Sequence, residues 1–226
     1  SKKVEPDSLN AYMKKLTNKP EKLVIIVASD KGLCGGLVTN LTRELLNFER
    51  ENKNLIFITV GKKANGSAKT IGGEVIASFD FGTTLPSYEA VYPIMSLVDD
   101  YFLNKKVSEV YIINSNFNSV FSQIPVVKKL LPAKLESEEK ASEAVFEPSA
   151  GELLPGLIRH YLEMNVYQAL LESYLSEQAA RMLAMQNATD NAKDIIEDLR
   201  LLYNKSRQEK ITNEILDISG GVFAYA

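Results

Sequence analysis

Up to about residue 147 the chain alternates between short apolar runs and amphipathic stretches. Leu23-Val24-Ile25-Ile26-Val27-Ala28 is rich in β-branched residues and lacks polar alternation, the pattern of a strand buried on both faces of a parallel sheet. It ends in Ser29-Asp30-Lys31-Gly32-Leu33-Cys34-Gly35-Gly36. Thr39-Asn40 then opens a helical pattern in which Leu41, Leu45, Leu46 and Phe48 recur up to Glu51. A second strand is predicted over Leu55–Val60, and Gly61–Ile71 reads as a short helix or turn weakened by Gly66. Glu74–Phe79 is a third strand. Tyr88–Asn104 gathers Val91, Ile94, Met95, Val98, Tyr101 and Phe102 on one face, and Val107–Asn114 is a fourth strand. Gln123–Leu131 suits a further strand ended by Pro132, Glu136–Ala144 an exposed loop, and Ala144–Glu147 a last short strand. Alternation of this kind predicts an α/β domain, a mostly parallel Rossmann-like sheet with flanking helices, over residues 1–147.

After Pro148 the pattern changes. Ser149 and Glu152 match a capping box, which starts a helix by satisfying free backbone N–H groups, and Pro155 is expected to kink or restart it. From Leu157 to Ile218 there is neither Pro nor Gly, a stretch of roughly 90 Å if helical throughout. Gly220-Gly221 is the expected stop. Residues 148–226 therefore read as a long C-terminal helix. Met185, Ala188, Ala192, Ile195, Leu199 and Leu202 are spaced 3, 4, 3, 4 and 3 apart, the seam of a coiled coil. Carried backward, the register meets Arg181, Gln178, Tyr174, Leu171, Tyr167 and Met164; carried forward, it turns polar at Ser206, Glu209 and Asn213. A second stripe, Ile211, Ile215, Ile218 and Val222, is offset, so the apolar face rotates around the helix. Ala180, Ala184, Ala188 and Ala192 allow close approach of another helix. Read from the residues alone, Arg181 is either a charged position within the coiled coil or a residue facing a partner protein.

Composition narrows the function classes. A net charge of −3 gives no electrostatic case for nucleic acid. No window approaches the roughly 20 apolar residues of a spanning helix, so direct membrane insertion is not expected. One cysteine, Cys34, and one histidine, His160, cannot build a zinc site or a disulfide. The glycine-rich turn after the first strand sits where many α/β folds bind phosphate. Its spacing is G-x-x-G-G rather than G-x-G-x-x-G, and Val60-Gly61-Lys62 stands where an acidic ribose ligand would be expected. Gly61 and Gly66 have P-loop spacing, but Ser67 and Ala68 occupy the positions of the required Lys and Ser/Thr. No carboxylate pair, Ser/His/Asp set or metal cluster supports an enzyme, and no catalytic, cofactor or metal residue is assigned.

Three separated segments, in order, resemble the gamma subunits of rotary ATP synthases: Ser29–Leu37; Ser176-Glu177-Gln178-Ala179-Ala180-Arg181-Met182 through Asn187–Ala192; and Tyr203–Gln208 with Ile211-Thr212-Asn213-Glu214-Ile215. The resemblance covers nearly the whole chain. It implies a non-catalytic central-stalk rotor, with the α/β domain at the foot and the C-terminal helix as a shaft within a ring of alpha and beta subunits. Epsilon and the membrane c-ring are its other implied partners, and nucleotide chemistry is left to beta. Arg181, Gln208, Thr212 and Glu214 match family positions that meet the surrounding subunits. The implied location is peripheral, on the cytoplasmic face of a bacterial inner membrane. The family's long N-terminal helix, which mates with the C-terminal one, is expected to be missing, with only Leu9–Leu16 resembling its tail. No plastid-type cysteine insertion is present, so thiol regulation is not expected. Two other readings compete: a nucleotide-binding α/β enzyme with a helical oligomerisation arm, and a stand-alone coiled-coil scaffold.

Overall fold

A computed structural model describes residues 11–13, 21–133 and 150–224. Among these, five strands form one sheet: β1 (Lys22–Val27), β2 (Leu55–Val60), β3 (Glu74–Phe79), β4 (Glu109–Ser119) and β5 (Ser122–Leu131). The helices are α1 (Leu37–Glu51), α2 (Lys62–Thr70), α3 (Val91–Leu103) and α4 (Ala150–Ala224), with short 3-10 turns at Ala11–Met13 and Tyr88–Ala90. The strand order is β3-β2-β1-β4-β5. The first four strands are parallel neighbours, and β5 returns antiparallel to β4.

β1 is central and wholly removed from water from Leu23 to Val27. Its residues alternate between two cores. Leu23, Ile25 and Val27 meet Val91, Ile94, Val98 and Phe102 of α3 together with Ile158, Leu162, Val166 and Leu170 of α4. Val24 and Ile26 meet Leu41 and Leu45 of α1 and Ala64 and Ala68 of α2. Each such side chain contributes roughly 1.5–3 kcal/mol by burial, which is why the run carries no polar alternation. Helices on both faces make this the expected Rossmann-like arrangement.

Several boundaries differ from the sequence expectations. β4 continues five residues beyond Asn114 because it forms a hairpin with β5. Its polar run Asn114-Ser115-Asn116 hid this; Asn114 and Ser115 are buried, and α4 supplies their partners. Pro155 neither breaks nor restarts α4. A proline there removes one ladder bond, and the turns on either side keep theirs. Gly220-Gly221 does not end the helix, which runs to Ala224; a glycine costs only about 1 kcal/mol relative to alanine in a helix. The proposed loop and strand over 136–147, and Ser149 of the capping box, lie outside the described residues.

The chain groups into two compact units, residues 1–183 and 184–226. The first half of α4 belongs to the core of the sheet. Ile158, Leu162, Val166, Ala169, Leu170, Ser173, Ser176, Glu177 and Ala180 are buried there, at helical spacing. In the second unit every side chain from Met185 to Ile218 is exposed.

At the amino ends of the central strands an ionic cluster replaces apolar packing. Glu109 receives Lys22 at 3.0 Å, Lys129, and the Tyr111 hydroxyl at 2.9 Å. Burial alone would raise the Glu109 carboxyl, but the hydrogen bonds from Lys129, Lys22 and Tyr111 outweigh it and hold its pKa at about 2. Burial, and then the Glu109 carboxylate, push the Tyr111 hydroxyl up to about 12. A carboxylate with a depressed folded pKa stabilises the fold above its ordinary value of 4.5, and that contribution is lost as pH falls toward about 2. Denaturant titrations across that window should show a steeper loss of stability for the wild type than for Glu109→Gln. Parallel curves would show that the cluster contributes nothing.

Candidate functional site

The order β3-β2-β1-β4-β5 puts the topological switch point between β1 and β4, whose helical connections lie on opposite faces. In open α/β sheets, ligands enter the crevice beyond the carboxyl ends of the strands at that point. Here the crevice is bounded by the turn after β1 and by Asn114 and Ser115 of β4. It is occupied by α4. Ser176 donates its hydroxyl to the Ser115 carbonyl at 3.1 Å, Glu172 takes the Asn114 amide at 3.4 Å, and Ser173, Ser176 and Glu177 are all buried. One guanidinium nitrogen of Arg181 reaches both the Glu177 carboxylate, at 2.5 Å, and the Gly32 carbonyl of the turn, at 3.5 Å.

The turn owes its shape to Asp30. One carboxylate oxygen accepts the Lys62 amide at 2.8 Å, at the start of α2. The other accepts the Phe81 and Gly82 amides at 3.1 and 2.7 Å, in the loop leaving β3. Ser29 accepts the Lys63 amide through its carbonyl. Leu33 and Gly35 both have positive φ, and Leu33 is 75% exposed whereas Cys34 is turned inward, its sulfur 3.9 Å from the Ser29 hydroxyl. The glycine-rich turn is thus tied to α2 and to the loop after β3 by its own backbone and by one carboxylate. Cys34 is a small buried residue, as its place in the turn suggested.

The P-loop-like spacing also has a packing explanation. Gly61 sits at φ +100, where an added Cβ would lie 1.9 Å from the Ala28 carbonyl oxygen. Only glycine lets β2 pass that close to β1. Ser67 is buried between helices, hydrogen-bonded to Thr42 and to the Lys63 carbonyl. A cleft of about 360 Å³ opens beyond β2 and β3, lined by Val60, Phe79, Phe81, Pro86 and Leu170 with Asp80, Thr84 and Ser87. Among the described residues no Lys or Arg lines it. His160, with a 65% exposed side chain, lies 3.4 Å from the Tyr88 hydroxyl and 3.9 Å from Glu163.

The residues singled out in sequence fall into two settings. Arg181 is in the first unit, four-fifths covered and engaged with Glu177 and Gly32. Gln208, Thr212 and Glu214 are on the second unit and exposed; Thr212 returns its hydroxyl to the Gln208 carbonyl at 2.8 Å. Of the seam, Met185, Ile195, Leu199 and Leu202 are 51%, 58%, 57% and 64% exposed, and Ala188 and Ala192 are exposed as well. Ile196, Leu199, Arg200, Tyr203 and Asn204 outline an open groove of about 310 Å³ along that unit. The backward register, Met164, Tyr167, Leu171, Tyr174 and Gln178, flanks the face that α4 buries on the sheet and is itself half-buried, except for exposed Met164. Sequence reasoning missed Asp30, Asn114, Ser176 and Glu177 as a group. Their spacing in the chain carries no signal, because three different elements supply them. No helix of the described residues is long and apolar enough to cross a membrane.

A family model described as ATP synthase matches residues 2–225. The ATP synthase gamma chain of Dehalococcoides mccartyi (strain ATCC BAA-2100) is 40% identical over 216 residues, covering 93% of this chain and 76% of that protein. The ATP synthase gamma chain of Legionella pneumophila (strain Corby) is 36% identical over 210 residues, covering 89% and 73%. The fold resembles a chain of the Euglena gracilis mitochondrial ATP synthase OSCP/F1/c-ring structure, with a TM-score of 0.72, 22% identity, and coverage of 91% and 73%. It also resembles a chain of the Tetrahymena thermophila mitochondrial ATP synthase central stalk and c-ring, with a TM-score of 0.61, 25% identity, and coverage of 80% and 83%.

Glu177 is a buried carboxylate whose second oxygen has no side-chain or backbone partner among the described residues. Removing Arg181 strands that charge, whereas neutralising Glu177 does not. Arg181→Ala should therefore lower the unfolding free energy by roughly 3 kcal/mol, and Glu177→Gln by clearly less. Urea denaturation of the two variants checks this; equal losses would mean that Arg181 does not neutralise Glu177.

Proposed function

The chain belongs to the ATP synthase gamma-chain family, and from that premise we propose that it is a non-catalytic rotor subunit. It couples proton-driven rotation to ATP synthesis on the beta subunits. The observation that carries the proposal is the second unit of α4. A helix satisfies its own backbone hydrogen bonds, so 34 successive exposed positions from Met185 to Ile218 need no partner for their peptide groups. Their side chains do. Met185, Ile195, Leu199 and Leu202 form an apolar stripe that water disfavours, and its 3-4 spacing fits another helix.

The seam of Met185, Ala188, Ala192, Ile195, Leu199 and Leu202 then packs against a helix, and the polar positions beyond it face the ring of alpha and beta subunits. Gln208, Thr212 and Glu214 make exchangeable hydrogen bonds there, which suits a shaft that passes successive similar surfaces. Arg181 meets partners only through the fifth of its side chain that its own domain leaves uncovered. Residues 1–147 form the foot, nearest epsilon and the c-ring. The working location is peripheral, on the cytoplasmic face of a bacterial inner membrane. Nucleotide binding by this chain is disfavoured because α4 fills the switch-point crevice and, among the described residues, no Lys or Arg lines the neighbouring cleft.

Co-expression with alpha, beta, epsilon and c subunits should yield a complex containing this chain; its exclusion from such complexes overturns the proposal. Calorimetry with ATP and with NAD on the isolated chain should show no micromolar binding, and binding would favour the enzyme reading instead. Gln208→Ala combined with Thr212→Ala should reduce the ratio of protons pumped to ATP hydrolysed in the assembled enzyme. Because both side chains are exposed, the circular dichroism and thermal unfolding of the isolated chain should stay the same. An unchanged ratio would remove these two residues from the coupling surface.

A further inference from the structure

We propose that the Ser29–Gly36 turn is a grip on α4, with Asp30 and Arg181 as its positioning residues, so that the sheet and the helix turn as one body. The inference rests on the rotor reading and adds to it the place where twist passes between helix and domain.

An apolar interface is a poor transmitter of twist. Ile158, Leu162, Val166 and Leu170 press α4 on the sheet, and that packing resists displacement, but its individual contacts are non-directional. Hydrogen bonds and ion pairs are directional, and they appear where α4 leaves the sheet. Ser176 binds the Ser115 carbonyl of β4, and Arg181, one turn later, meets the Gly32 carbonyl of the turn at the long end of hydrogen-bond range. A loose turn would yield under that load. Asp30 prevents this by holding three backbone amides from α2 and the loop after β3. Glu177 fixes the guanidinium from the helix side, with a 6% exposed side chain. The path from helix to sheet is thus Glu177, Arg181, the Gly32 peptide, Asp30, then the loops of β2 and β3. The turn has the position of a phosphate loop but binds the chain's own cation through a carbonyl.

Amide hydrogen exchange on the full chain, and coupling in the assembled enzyme, test the grip together. Arg181→Ala combined with Glu177→Gln removes the link without stranding a buried charge, so the domain stays folded. Exchange across the turn, read at the Leu37 and Lys63 amides that bond the Cys34 and Ser29 carbonyls, should rise by about threefold to tenfold, while the β1 and β2 amides keep their protection. Asp30→Asn should raise exchange over the same segment and at Lys62, Phe81 and Gly82. In the enzyme, the double variant should lower the ratio of protons pumped to ATP hydrolysed, and Arg181→Lys should restore part of it. A purely structural loss would reduce the amount of complex and leave that ratio alone. Unchanged exchange overturns the grip whatever the complex does. Increased exchange with an unchanged ratio overturns its role in coupling. Failure of the wild-type chain to enter the complex would instead sink the rotor reading, and the exchange result would still decide whether the grip exists.

Discussion

Five consecutive residues of β1, Leu23 to Val27, are removed from water on both faces, and a strand in that position can be satisfied only by a sheet neighbour on each side and a helix layer above and below. β2 and β4 supply the neighbours, α1 and α2 one layer, and α3 with the first half of α4 the other. Where β1 ends, its peptide ladder ends with it. The backbone groups that follow find other partners, the Ser29 carbonyl taking the Lys63 amide and the Gly32 carbonyl Arg181, while the Asp30 carboxylate serves the amides that follow β2 and β3. The switch point, the turn and the seat of α4 all follow from this one doubly buried strand.

That geometry shows how a sheet with the strand order of nucleotide-binding folds can use its switch point for a contact within the chain. The crevice at the switch point exists because the helical connections diverge there. Ligands use it when the loop presents amides and the crevice is open. Here Asp30 consumes amides from the surrounding loops, the turn offers a carbonyl, and α4 lies in the opening with Ser176 and Arg181. A carbonyl repels phosphate and attracts a guanidinium. The same fold position thus serves an internal contact.

α4 changes its role along its length while its backbone does not change. Up to Leu183 it belongs to a core; from Ala184 it is a separate unit, whose side chains from Met185 to Ile218 are exposed. In the proposed rotor, its exposed alanines and 3-4 spaced apolar residues face another helix, and its later polar positions make contacts that break and re-form. Membership of the gamma-chain family gives those surfaces their partners in the proposed rotor.

The strand order β1-α1-β2-α2-β3-α3-β4 was readable from sequence because burial on both faces leaves an uninterrupted apolar run and helix packing leaves a 3-4 period; Leu55–Val60 and Glu74–Phe79 were located to the residue on that basis. The length of α4 was readable from the lack of Pro and Gly between Leu157 and Ile218, although Pro155 and Gly220-Gly221 were given more power to break it than a long helix allows. The seam and the residues Gln208, Thr212 and Glu214 rest on spacing and resemblance, and the structure adds that all of them are exposed. Tertiary structure alone decided the extension of β4 through polar Asn114, Ser115 and Asn116, whose burial depends on partners some sixty residues away in α4. It alone joined Asp30 to Phe81 and Gly82 and Arg181 to Gly32. Local periodicity records which side of an element faces apolar surroundings; it holds no record of which distant polar group a side chain will meet, because that depends on how whole elements are stacked.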